Sequence, residues 1–302
     1  MSGSVDNNSR VAAVVVTHNR IGLLKECVAA LRTQTKKIDE IIIVNNGSTD
    51  GTGAWLEEQK DLTVFTQDNL GSSGGQNRGI REAYHKGFGW FWCMDDDTIA
   101  HQDAHEEIQK TGGLTVGSEV GFISTRVLWT DGKPSKFNIT YENGGEPFGT
   151  PLRRVWASTF VGVFISRKAV EKVGLPIKEL FLWGDDYEYS MRIAASFPCY
   201  LADFAKVIHK TKEDKTFLEY WYDNSPNMKP KHKFAMRNSV YLARREAKNP
   251  FKKFYIVTRK ILGAIYHGFI VRKRSPYLVL DAISGAFFNP RIEYVGQEVV
   301  KV

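Results

Sequence analysis

Residues 11–17 read VAAVVVT, a run with no polar alternation, and the fold turns on how that run is read. A strand covered on one face alternates apolar and polar residues. One buried on both faces is apolar throughout, as strands of parallel sheets are. Outward from this strand, Leu23, Leu24, Cys27, Val28 and Leu31 recur at helical spacing within 21–34. EIIIV at 40–44 is a second buried strand, closed by the turn cluster NNGSTDG at 45–51. A short helix near 52–60 and a third strand, LTVF at 62–65, come next. The glycine-rich NLGSSGGQNRG at 69–79 reads as a loop before a helix that ends near Gly87. A fourth strand, WFWCM at 90–94, runs directly into Asp95, Asp96 and Asp97.

Strand and helix alternate with short connections, which predicts an α/β fold: a mostly parallel, doubly wound sheet with helices on both faces. Ligands of such sheets bind outside the carboxyl ends of the strands. Thr17 to Arg20, Asn45 to Asp50 and Asp95 to Asp97 all stand at those ends. After residue 120 the pattern is mixed. VGFIST and VWASTFVGVFISR read as strands around an irregular Gly/Pro-rich stretch at about 130–151. Residues 186–196 read as a helix and 199–208 as a strand. From about 217 the chain is aromatic, basic and mainly helical, so we place a boundary near 215, between a domain at 1–215 and a helical extension at 216–302.

The 302 residues carry a net charge of +7 and an ordinary apolar fraction of 42%. That charge favours an anionic partner: a phosphorylated ligand, nucleic acid or an acidic membrane surface. Nucleic acid is set aside, because it leaves the acidic clusters without a role. Cys27, Cys93 and Cys199 form neither a zinc spacing nor a disulfide framework and suit a reducing cytoplasm. The start, MSGSVDNNSR, lacks the basic and apolar regions of a signal peptide, and no long uncharged apolar run is present.

Three adjacent carboxylates repel one another unless a cation compensates. Alternate residues of an extended segment point the same way, so Asp95 and Asp97 can share a hard cation. A solvated turn or a helix cap is the plainer alternative. Asp185, Asp186 and Glu188 open a helix after FLWG. They either favour the helix dipole or, beside Trp183 and Tyr187, supply a general base in a sugar-binding wall. His209 ends a strand as a structural histidine or a nitrogen ligand of a manganese-type ion. The 69–79 segment is a flexible loop or a phosphate cradle with Arg78 at a helix start.

Together, VVVTHNR, VNNGSTDGT, NLGSSGGQNRG, MDDDT and GDDYEYSMR resemble, in order over residues 10–210, the motifs of family 2 glycosyltransferases, inverting enzymes of the GT-A fold. WGDDYEYSMR and AMRNSVYLARR look like the galactofuranosyl- and rhamnosyltransferases of bacteria. The resemblance implies transfer of a sugar from a nucleotide diphosphate to a hydroxyl of a cell-surface glycan or lipid-linked acceptor. Galactofuranose from UDP-galactofuranose ranks first, then rhamnose from dTDP-rhamnose. A catalytically dead scaffold that binds sugar nucleotides is the non-enzyme alternative.

By the same resemblance, Asp95, Asp97 and His209 bind Mn²⁺ or Mg²⁺. The donor contacts Thr17, Asn19, Arg20, Asn46, Asn69, Gly74, Arg78 and Asp95, with Asp96 near the ribose. Asp186 is the base, Asp185 and Glu188 orient it or hold acceptor hydroxyls, and Trp183 and Tyr187 line the acceptor. Asn45 stands where the family often has an aspartate that helps bind uracil.

Residues 252–269 form an amphipathic helix. Phe254, Ile261, Leu262, Ile265 and Phe269 fall together, and Lys252, Lys253, Arg259, Lys260 and His267 fall opposite, before Arg272, Lys273 and Arg274. Its apolar stripe either packs on the body or lies in a membrane interface through 252–274. The second reading makes the protein cytoplasmic and peripheral to the inner face of the plasma membrane.

Overall fold

A computed structural model describes residues 9–111, 119–138, 141–142, 152–223, 225–226, 228–270 and 277–296. The first half alternates β1 (Val11–Thr17), α1 (Ile21–Arg32), β2 (Glu40–Asn46), α2 (Thr52–Glu57), β3 (Leu62–Gln67), α3 (Gly71–His85) and β4 (Trp90–Asp95). Then come β5 (Thr98–Ala100), α4 (Ala104–Lys110), β6 (Phe122–Leu128), β7 (Tyr141–Glu142), β8 (Leu152–Ala157), β9 (Val163–Ser166), α5 (Arg167–Val173), α6 (Asp185–Ala194) and β10 (Cys199–His209). The C-terminal region holds α7 (Phe217–Tyr222), α8 (Lys229–Glu246), α9 (Pro250–Ile265) and α10 (Leu278–Phe287).

The strands among the described residues join one sheet in the order β3-β2-β1-β4-β9-β6-β10-β8-β7, with β5 on β10. The expected parallel core is β3-β2-β1-β4. Beyond it the sheet is mixed: β9 runs antiparallel to β4 and β6, while β10 is parallel to β6 and antiparallel to β8 and β5. All seven residues of β1 are buried, and they split by parity. Val11, Ala13 and Val15 pack with Leu24, Cys27, Val28 and Leu31 of α1, whereas Ala12 and Val14 pack with Ile80 and Ala83 of α3. Two opposite helical layers therefore account for a strand with no polar face.

Two segments depart from the sequence reading. VWASTFVGVFISR is not one strand but β8 and β9, divided by a turn at 158–162. Gly162 permits that turn at φ +81°, where an added Cβ would lie 2.5 Å from Thr125 Oγ1. The glycine-rich stretch is not a loop either, because α3 begins at Gly71 inside it. Its glycines serve close packing: a Cβ on Gly79 would lie 2.2 Å from Val14 Cγ1 and one on Gly75 2.4 Å from Val16 Cγ1. Helix propensity is sacrificed there so that α3 lies directly on β1.

The C-terminal helices form their own small core, in which Met236, Val240, Ala264, Leu278 and Ala282 meet Val257 and Ile261. The helix expected at 252–269 is α9 followed by a π-helical turn at Tyr266–Ile270, capped by Asn249 Oδ1 accepting from Lys252 N at 2.7 Å. The expected grouping of its apolar residues needs correction. Ile261 packs inward, but Phe254, Leu262 and Phe269 are exposed. Lys260 is half-buried rather than on an open basic face. Arg272, Lys273 and Arg274 lie outside the described residues.

The two glycine environments separate in a stability measurement. Gly263 in α9 has nothing within 4 Å of an added Cβ, so Gly263→Ala should raise the urea midpoint by up to about 1 kcal/mol of stability. Gly79→Ala should lower it by roughly 1–3 kcal/mol through overpacking against Val14. A stabilising Gly79→Ala would contradict the close helix–sheet contact.

Candidate functional site

The exits of β1, β2 and β4 meet the start of α6 across the N-terminus of α3. At the β4 exit, Thr17 Oγ1 donates to Asp96 Oδ2 at 2.8 Å, and Arg20 Nη1 lies 3.2 Å from Asp96 Oδ1 and 2.6 Å from Asp97 Oδ2. Asp95 Oδ1 accepts from Ser72 Oγ at 3.3 Å. His209 arrives because β10 pairs with β5 in a register that sets His209 opposite Thr98, next to Asp97 in sequence. Its Nε2 lies 3.2 Å from Asp97 Oδ1, and its Nδ1 lies 2.6 Å from Asn138 Oδ1. As the amide is oriented, Nδ1 is the donor, so in the neutral ring Nε2 turns a lone pair toward Asp97. Asp97 Oδ1 is buried and has no hydrogen-bond donor aligned to it. Two facing acceptors at this distance call for a proton or a cation between them.

Electrostatics sorts the three carboxyls. Burial, then the charges of Asp97 and Asp96, push Asp95 up to about 7. Burial raises Asp96 to about 6 despite Arg20. Burial also acts against ionisation of Asp97, but the protonated form of His209, whose charge and Nε2–H then face the carboxylate, outweighs it together with Arg20 and holds that carboxyl at about 2. Lys231, on α8, is lowered by burial and by Arg20, while the charge of Asp97 opposes the shift.

The expected trio of Asp95, Asp97 and His209 is not gathered as a ready cage. Among the described residues, no three His, Cys, Asp or Glu side chains converge in that way. Asp97 and His209 are paired, and the orphaned Oδ1 beside an imidazole nitrogen fits a divalent ion that takes mixed oxygen and nitrogen ligands.

The acidic start of α6 reaches this crevice on a strained turn. Phe181 and Trp183 both hold φ +66°, and Gly184 holds φ +85°. Positive φ at bulky residues persists only where the surroundings enforce it. Here Asn238 Nδ2, on α8, lies 2.9 Å from Leu180 O, 3.1 Å from Leu182 O and 2.8 Å from Trp183 O. Arg237 Nη2 donates to Glu179 O at 2.6 Å. From the other side, Ser73 N donates to Phe181 O at 3.2 Å and Ser73 Oγ to Ile177 O at 2.7 Å. A Cβ at Gly71 would lie 2.1 Å from Phe181 O, which is why glycine opens α3.

On that turn Asp185 is buried with Oδ2 unpartnered, and burial, then Asp186, then Asp95 push it well above the carboxylate range. Asp186 is half-buried, accepts from its neighbour Tyr187 N at 2.7 Å, and is raised by burial to about 6. It borders a hollow lined also by Phe160, Tyr189 and Ser190. Tyr187 meets the Trp156 ring edge-on at 5.9 Å, and Trp183 meets Phe217 at 6.0 Å.

Several candidates are committed elsewhere. Glu188 is buried between Arg192, 2.9 Å from its Nε, and Arg245, so it is a structural ion pair and not a free hydroxyl acceptor. Asn46 has both ends of its amide engaged: Nδ2 donates to Gly71 O at 2.9 Å and Oδ1 accepts from Gln67 at 2.8 Å. Arg78 sits a full two turns inside α3, paired with Glu82 at 2.7 Å and stacked over Phe65 at 5.2 Å. Gly74 closes on Leu70, where a Cβ would be 2.4 Å from Leu70 Cβ.

Thr17, Asn19, Arg20, Asn69, Asp95 and Asp96 remain around the crevice. Asn19 Oδ1 accepts from Thr49 N at 2.6 Å and ties the first two loops together, while Asn69 Oδ1 accepts from Gly71 N at 3.0 Å. Ser72, Asn138, Lys231 and Asn238 were missed. Ser72 and Asn238 carried a signal, within NLGSSGGQNRG and AMRNSVYLARR.

Residues 12–111 match the sequence profile described as Glycosyl transferase family 2. The galactofuranosyltransferase GlfT1 of Mycolicibacterium smegmatis is 28% identical over 252 residues, covering 77% of this chain and 82% of that protein. TarS residues 1–349 of S. aureus, in complex with UDP, superimpose with a TM-score of 0.53 at 14% identity over 89% of this chain and 74% of that one. The chain spans 44% of a longer TarS structure. The mannosyltransferase PcManGT of Pyrobaculum calidifontis, in complex with GDP-Man and Mn2+, gives a TM-score of 0.51 at 15% identity over 92% of this chain and 86% of that one. The architecture is the GT-A fold.

Two measurements test this geometry. The folded protein keeps the Asp95 proton up to about pH 7, whereas the unfolded chain releases it near 4, so Asp95 lowers stability progressively as pH rises between those values. In chelator-treated protein, Asp95→Asn should therefore stabilise by roughly 1–4 kcal/mol at pH 8 and by nothing below pH 4, read from urea midpoints. Asn238→Ala strands the carbonyls of the strained turn and should cost roughly 1–3 kcal/mol, together with local loss of amide-exchange protection at 181–184. Unchanged protection there would mean the turn is held by other contacts.

Proposed function

We propose that this glycosyltransferase, which carries a family 2 domain at residues 12–111, transfers galactofuranose from UDP-galactofuranose, with inversion, to a hydroxyl of a cell-surface glycan or lipid-linked acceptor. The observation that carries this reading is the convergence of two acidic groups of opposite use. Asp95 accepts from Ser72 while the adjoining Ser73 holds the turn that precedes the Asp185-Asp186 pair, so both acidic groups border the N-terminus of α3. The choice of sugar is supported by the galactofuranosyl relative, and the choice of nucleotide by the UDP-bound structural neighbour.

In this reading the nucleotide lies over the β1 and β2 exits, past Thr17, Asn19 and Asn69, with Asp96 toward the ribose. Arg20 and Lys231 present cationic charge to the diphosphate, and Arg20 exchanges its carboxylate partners for phosphate oxygens. Asp97 and His209, with Asp95 alongside, would hold Mn²⁺ or Mg²⁺, a choice supported by the manganese-bound neighbour, and a cation held there would supply Lewis acidity toward the charge developing on the departing diphosphate. Asp186 takes the acceptor proton. A carboxyl at about 6 is still ionised at neutral pH and is a stronger base than an ordinary carboxylate. Asp185, buried behind it, orients the pair, and Trp183 and Tyr187 wall the acceptor. Helix α8 acts as the clamp that presents this turn.

A panel of nucleotide sugars scored by released nucleotide tests the assignment. UDP-galactofuranose should turn over faster than dTDP-rhamnose, and chelation should abolish turnover until Mn²⁺ or Mg²⁺ is restored. Asp186→Asn should lower kcat by about 10²–10⁴ while leaving the thermal shift produced by UDP intact. Near wild-type kcat in that variant would move the base to Asp185, and full activity after chelation would remove the metal role.

A further inference from the structure

The inward side of α9 is complete: Val257, Ile261 and Ala264 pack against Leu278 and Ala282. Its outward side carries a second apolar surface that no described residue covers. Phe251 is 87% exposed, Phe254 75%, Tyr255 62%, Leu262 59% and Tyr266 50%. At 100° per residue these five positions fall within an arc of about 120°. A surface helix of a globular protein places charged and polar residues on that arc, and a contiguous aromatic face marks an interaction site. The neighbouring α10 repeats the arrangement on a smaller scale, with Tyr277, Leu280 and Phe287 exposed.

Charge identifies the occupant. The sequence of α9, PFKKFYIVTRKILGAI, has four basic residues and no acidic one. Lys252 and Arg259 are exposed and border the aromatic arc on one side. A two-fold dimer through this patch would pair each face with its own copy and bring like-charged rims together. An anionic lipid surface satisfies both features at once: apolar side chains enter the acyl boundary, tyrosines stay at headgroup depth, and the cations meet lipid phosphates. The geometry is that of a helix lying flat, since among the described residues no helix is long and apolar enough to cross a bilayer.

We propose that the outward face of α9, continued by the turn at Tyr266–Ile270, docks the protein in the plane of an anionic bilayer. The surface is separate from the crevice, and the proposal does not rest on the donor or metal assigned there.

Co-sedimentation of the full chain with phosphatidylglycerol-containing vesicles tests it without requiring turnover. Binding should appear at low salt, weaken at high salt, and be far weaker to pure phosphatidylcholine. Neutralising Lys252→Gln and Arg259→Gln should cost about fivefold in partitioning for each cation. Phe251→Ser combined with Phe254→Ser and Leu262→Ser should lower partitioning by at least tenfold, with an unchanged melting temperature because these side chains make no core contact. Absence of binding to anionic vesicles at low salt overturns the proposal, as does binding unaffected by the serine substitutions. A concentration-dependent dimer without lipid, dissolved by the same substitutions, would assign the face to a second copy instead.

Discussion

Three adjacent carboxyl groups at the inner end of a buried strand cannot all ionise without compensation, and much of the crevice is arranged around that constraint. Arg20 reaches across from the loop after β1 to Asp96 and Asp97, Thr17 donates to Asp96, and His209 faces Asp97. The compensation is partial. Asp97 is held low although one of its oxygens lacks an aligned donor, while Asp95 and Asp96 are left with raised pKa values. A site built this way has capacity for further positive charge, and its present balance is held by an arginine whose side chain is 45% exposed.

The second acidic group depends on a different device. A turn with two bulky residues at positive φ is costly by itself. It persists because α3 grips it from below and Asn238 and Arg237 of α8 grip it from the side. The same turn carries Asp185 into a buried position and leaves Asp186 at the edge of a small hollow. Helix α8 is therefore part of the crevice wall, although the chemistry of the C-terminal region is basic and aromatic rather than acidic.

The parallel core and the places where chemistry gathers were legible in the sequence because both follow from local pattern. An apolar run with no alternation, as in VAAVVVT, demands cover on two faces, and β1 has it. Polar clusters that end such runs must then fall on one edge of the sheet. The roles of single residues were not legible in the same way. Glu188 in GDDYEYSMR has the same local setting as Asp186, yet Arg245 from α8 neutralises it. Asn46 looks like a free polar residue at a strand end until Gln67 and Gly71 occupy both sides of its amide. The glycines of 69–79 read as a flexible loop or a phosphate cradle, and the contacts of Gly75 with Val16 and Gly79 with Val14 show that part of the stretch is a helix packed close to the sheet.

Hydrophobic periodicity and strand-end chemistry thus determined the α/β class, the order of the parallel strands' elements and the edge that carries the acidic groups, because burial acts on neighbours along the chain. The tertiary structure alone decided which acids are exposed, paired or orphaned, and which face of α9 is left uncovered. Those outcomes depend on residues distant in sequence: β5 pairing sets His209 against Asp97, Asn238 holds the 180–183 turn, and α10 takes the side of α9 that helical periodicity by itself could not assign.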